Sequence, residues 1–239
     1  LGICVLCCGV LSATAADSKT PKPEKHVEQN IEGWTVHVDS RLLEGDAAPL
    51  GREALDLLAR RLADIKLALP QDKIERLQKV PIWLDRTHGA LTAAQYHPSA
   101  GWLKANGYDE ALTRCVHIPD AADFVSRRHQ LVQPWSVLHE LAHAYHDQVL
   151  DFDHPEILAA WQRFKDSGRY EQTLHSRGHK TKHYALTNQK EFFAEMTESY
   201  FGVNDFFPFN RAELKQEEPE LCKLLGEIWE SKPAAAAPQ

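Results

Sequence analysis

Trp135 to Leu150 reads WSVLHELAHAYHDQVL, and the pentapeptide His139-Glu140-Leu141-Ala142-His143 inside it decides the fold. Residues four apart lie on one face of a helix, so His139 and His143 point two imidazoles at a common spot, with Glu140 at the edge of that face. Val137, Leu138, Leu141, Ala142, Tyr145 and Val149 recur at helical spacing and form an apolar stripe opposite the histidines. Pro134 suits the first turn. HExxH on a helix is a zinc signature, and a catalytic zinc takes three protein ligands and keeps one position open. Two ligands are in hand. Short motifs also arise by chance, so a third ligand has to decide.

The downstream stretch from Tyr184 to Glu195, YALTNQKEFFAE, offers one. Asn188 is a helix N-cap residue, and the helix it predicts runs to about Gly202 with Glu191, Glu195 and Glu198 on one face. Phe192, Phe193, Met196 and Tyr200 take the other. Carboxylates on one side and large apolar groups on the other describe a packed helix whose acidic face meets a cation. The plain alternatives are a capping box formed by Asn188 and Glu191, and a solvated acidic face. Beside HELAH these are the weaker readings.

The two motifs together resemble the gluzincin metallopeptidases, in particular catalytic domains of the anthrax-lethal-factor type. The resemblance covers roughly Trp135 to Phe201. It implies His139, His143 and Glu191 as ligands of one zinc ion per chain, Glu140 as the general base and acid, and Tyr184 as the group that stabilises the oxyanion. It further implies that Glu195 orients a ligand histidine through its other ring nitrogen. The implied fold is zincin-like. The implied activity is that of a hydrolase, a zinc metalloprotease acting on a peptide or protein substrate.

Outside this span the chain reads as α+β. Trp34, Val36 and Val38 alternate with Thr35, His37 and Asp39 as a half-buried strand. Leu50 to Leu69 has helical spacing and ends at Pro70, and a shorter helix spans Asp72 to Lys79. Pro81 to Leu84 and Cys115 to Ile118 read as further strands. A helix on a short sheet, followed by helices, is an α+β pattern. Tyr96 to Trp102 reads as a loop, Glu213 to Glu230 as one terminal helix, and Phe206, Phe207 and Phe209 as a seal for the core or a specificity pocket. His146 lies on the side of His139, but the glycine and further histidine of a metzincin site do not follow, so it reads as a polar supporting residue.

Residues 1–16 resemble a secretory signal peptide, an apolar run followed by Ala13-Thr14-Ala15, which implies a secreted, periplasmic or extracellular location. Residues 17–32 read as a flexible segment, 33–230 as a single domain and 231–239 as a disordered tail. Cys115 and Cys222 either pair or stay as two buried thiols. A net charge of -7 argues against a nucleic-acid partner, and no run is long enough to span a bilayer. Two other functions fit the motifs: a non-catalytic secreted binding module holding zinc, and a metallohydrolase of a non-peptide amide. A structural zinc usually has a fourth protein ligand, which is not evident here, and Glu140 is not needed to bind metal.

Overall fold

The structure, a computed structural model, describes residues 21–231. The expected signal peptide and the tail from residue 232 onward lie outside the described residues. The chain is a mixed α+β protein. Strands β1 (His26–Ile31) and β2 (Trp34–Asp39) form an antiparallel hairpin, paired from His26↔Asp39 to Ile31↔Trp34. Glu32 and Gly33 take φ of 53° and 99°, the left-handed pair that a two-residue hairpin loop requires. The expected flexible segment therefore ends earlier than residue 32. HVEQNI has no apolar face for composition to reveal, and its order comes from the backbone ladder to β2.

Helices α1 (Ala48–Ala68) and α2 (Gln71–Leu77) follow, separated at Leu69-Pro70 because a residue before proline is pushed out of the α region. Strands β3 (Ile82–Leu84) and β4 (Gln95–Tyr96), helix α3 (Ala100–Ala105) and strand β5 (Val116–Ile118) come next. The expected loop at Tyr96 to Trp102 thus contains the end of a strand and the start of a helix capped by Ser99. The sheet has the order β1-β2-β3-β5-β4, with β2, β3 and β5 parallel and both edge strands antiparallel.

One sheet face is apolar by register: Val36, Ile82 and Val116 align, as do Val38, Leu84 and Ile118, and all are buried. Leu58, Leu62 and Ile65 of α1 close over them in the same core. Each such aliphatic side chain contributes about 1.5–3 kcal/mol when taken fully out of water.

The second half is helical. It comprises α4 (Ala121–Val125), α5 (Arg127–Val132), α6 (Ser136–Tyr145), α7 (Pro155–Asp166), the short hairpin β6 (Thr173–Leu174) and β7 (Lys180–Thr181), and α8 (Gln189–Phe201). The regular part of α6 ends at Tyr145 and widens into a π-type turn to Leu150. The expected terminal helix is two helices, α9 (Arg211–Glu217) and α10 (Pro219–Trp229). Pro219 again explains the break, since Glu218 is driven to φ -134°, ψ 63°. Among the described residues no helix is long and apolar enough to cross a membrane.

Candidate metal centre

Helices α6 and α8 pack side by side, and a glycine sets how closely. A Cβ on Gly202, just past α8, would fall 2.2 Å from Cε2 of Trp135, the residue before α6. The side chain of Asn188 accepts hydrogen bonds from the N–H groups of Lys190 (2.9 Å) and Glu191 (3.0 Å), which fixes the first turn of α8. Glu191 leaves that turn toward α6.

The Glu191 Oε2 atom lies 3.3 Å from Nε2 of His139 and 3.3 Å from Nε2 of His143. Bonds of about 2.0–2.1 Å in tetrahedral array separate neighbouring ligand atoms by about 3.3–3.4 Å. Both measured spacings match this, and both are long for a hydrogen bond. The two rings stand at 81° with centroids 4.8 Å apart. This donor set could hold a metal ion.

Burial opposes a proton on His139, but the carboxylates of Glu191 and Glu198 outweigh it and hold its pKa well above the ordinary value. Burial would raise Glu191, yet its contacts with His139 and His143 win and hold it well below the carboxylate range. A cation that binds here displaces that proton.

The second nitrogen of His139 corrects one expectation. Its Nδ1 is 2.7 Å from Oε1 of Glu198 and 3.9 Å from Oε1 of Glu195, so Glu198 is its hydrogen-bond partner. Glu195 is buried with Oε2 unpartnered, 3.7 Å from Nδ1 of His183. Burial first, then the charges of Glu198 and Asp205, push its pKa well above the usual carboxylate value. Glu195 therefore favours the protonated form, a poor acceptor for an imidazole N–H.

The three donors open on a cleft of roughly 520 Å³. Its far wall is edge strand β4, tied to α6 where the Tyr96 N–H donates to Oε2 of Glu140 at 2.7 Å. This bond fixes the Glu140 carboxylate beside His139 and His143, and burial, partly offset by those two histidines, raises its pKa. Tyr184 stands at the rim, 48% exposed, in a short 3-10 turn. That turn is held by Trp161 Nε1–H donating to the Ala185 carbonyl at 3.1 Å and by Ala185 N–H donating to His183 Nδ1 at 3.1 Å. Burial and then the Glu191 charge raise the Tyr184 pKa, which keeps its hydroxyl a proton donor.

Sequence reasoning missed one wall of this cleft. Ser136, a turn before His139, lies 3.0 Å from Nε2 of His129, whose Nδ1 is 3.1 Å from Asp123. No short motif joins these three residues, which come from three different helices. Phe206 lines the cleft and stacks on His183 with centroids 4.8 Å apart. Phe207 and Phe209 are half-buried, so the phenylalanine run does not seal the core.

His146 is fully buried against Phe152 and Phe193, and neither ring nitrogen has a partner. Cys115 and Cys222 are separate buried thiols. Fold and site together define a mixed α+β protein with a partly buried His-His-Glu constellation able to hold a metal ion. Comparison with protein-family models, with curated proteins and with solved structures found no match for this chain.

Proposed function

We propose that the chain is a zinc-dependent metallopeptidase with a zincin-like fold, active on a peptide or protein substrate. The observation that carries this is the joint placement of His139, His143 and Glu191 at metal-ligand spacing with Glu140 beside them. Zinc held by these three side chains supplies a Lewis acid that polarises a carbonyl and acidifies water. Glu140 takes the proton of the attacking water and returns it to the leaving amine, a role its raised pKa favours. Tyr184 donates its hydroxyl to the oxyanion, a contact realised only in the transition state. Edge strand β4 presents backbone to the cleft, and an extended substrate pairs with such an edge.

A zinc-loaded sample incubated with a mixed peptide library, its products read by mass spectrometry, tests this. Cleavage that a chelator stops and added zinc restores supports the reading. A fully zinc-loaded protein that leaves every peptide intact refutes it.

A further inference from the structure

The face of the sheet opposite the main core carries a second convergence of metal-ligand side chains. Register aligns His37, Trp83 and His117 on this face across β2, β3 and β5. The chain leaves β3 at Asp85, whose buried carboxylate meets three imidazoles. His26 Nε2 lies 2.6 Å from Oδ1, while His88 Nδ1 and His117 Nε2 lie 2.6 Å and 2.8 Å from Oδ2. The four residues come from three separate places: β1, the segment after β3, and β5. Donor atoms of Asp85, His88 and His117 all lie within 4.8 Å of one another.

We propose that His26, Asp85, His88 and His117 form a second metal site, a structural one of the zinc type that fastens β1 and the segment between β3 and β5 to the sheet. Three observations carry it. First, two imidazole nitrogens on one oxygen of Asp85 and a third imidazole on its other oxygen supply four side chains of the kinds that zinc takes. Second, the other ring nitrogen of His117 is already engaged, 3.2 Å from His97 Nε2, as a ligand imidazole requires. Third, Leu103, Leu112 and Cys115 form a small buried cluster separate from the main core, and Cys115 is a free thiol. No disulfide fastens this cluster among the described residues.

The spacings at Asp85 are those of hydrogen bonds, so metal entry draws the imidazoles back from the carboxylate by about 0.5–0.7 Å, to about 3.3 Å. The rival arrangement is a metal-free network in which Asp85 accepts three N–H bonds.

Zinc per chain, measured by elemental mass spectrometry after saturation with Zn²⁺ and desalting, separates the two. The parent is expected to hold two ions, His143→Ala one and His88→Ala one. A folded His143→Ala protein that retains one ion, bound by histidine nitrogens in its X-ray absorption spectrum, supports the site even where His88→Ala fails to fold. Retention of one ion by His143→Ala together with its loss in a variant carrying both His143→Ala and His88→Ala also supports it, whatever becomes of the peptidase reading. A folded His143→Ala protein without zinc overturns the proposal, as does a His88→Ala protein with the parent's full complement.

Discussion

Glu198 and Glu195 separate orientation of a ligand from burial of an acid. Glu198 accepts from His139 at 2.7 Å, whereas Glu195 sits further off with burial holding its proton on. Glu198→Gln is expected to weaken zinc affinity about 10–100-fold, the usual cost of losing a carboxylate behind a ligand histidine. Glu195→Gln, which resembles the protonated acid, should change it by a few-fold at most. Competition with a chromogenic chelator measures both, and equal losses would contradict the assignment. At the rim, Tyr184→Phe tests the proposed oxyanion donor and is expected to lower kcat by about 10²–10³-fold with little change in KM, as steady-state kinetics on a cleaved peptide would show. The convergence of His139, His143 and Glu191 was legible because HExxH places two of them on one helix face and a capped acidic helix supplies the third. The choice between Glu195 and Glu198 was not: four and seven residues on, a side chain returns to nearly the same side of a helix, and the packing of α8 on α6 decides. Ser136, His129 and Asp123 were illegible for a similar reason, since only tertiary packing joins them.

Helices α6 and α8 hold their spacing through contacts that single substitutions test. Gly202→Ala drives a methyl group into the Trp135 indole and is expected to destabilise the fold by about 1–3 kcal/mol through overpacking. Asn188→Ala removes the cap of α8, costs about 1 kcal/mol and loosens the turn that carries Glu191. Urea unfolding measures both, and zinc affinity should fall with Asn188→Ala, because a frayed first turn no longer presents the carboxylate. These helices were readable from cap and periodicity, as were β2, α1 and β3. Three features were not. β1 has no apolar face, β4 is two residues long, and the terminal helix breaks at Pro219 inside an otherwise continuous apolar period. Helix α7 did carry a signal, with Pro155 at its start and Ile157, Ala160 and Phe164 buried at helical spacing, and the basic residues around it obscured that pattern.

Across the whole molecule, stability depends on buried histidines kept neutral. Burial first of all pushes His97, His146 and His183 down to about 3 from 6.5. A histidine with a lowered folded pKa is protonated first in the unfolded chain. Its contribution is therefore complete above pH 6.5 and declines as the pH falls from 6.5 toward 3. Glu195 and Asp205, with raised values, act in the opposite sense, so a difference between variants isolates one ring. His146→Leu removes an imidazole with no hydrogen-bond partner and is expected to stabilise by about 1 kcal/mol at neutral pH. That advantage should widen by about 2 kcal/mol at pH 5, read from urea midpoints, and a constant difference would contradict it. The proposed mechanism makes Glu140, a carboxylate outside the proposed ligand set, the general base. The most direct test compares the zinc-loaded parent with Glu140→Gln at equal zinc content on the same peptide library. Cleavage by the parent, reduced by several orders of magnitude in Glu140→Gln, is the predicted result. Equal cleavage by both, or none by a zinc-loaded parent, would contradict a metallopeptidase whose base is Glu140.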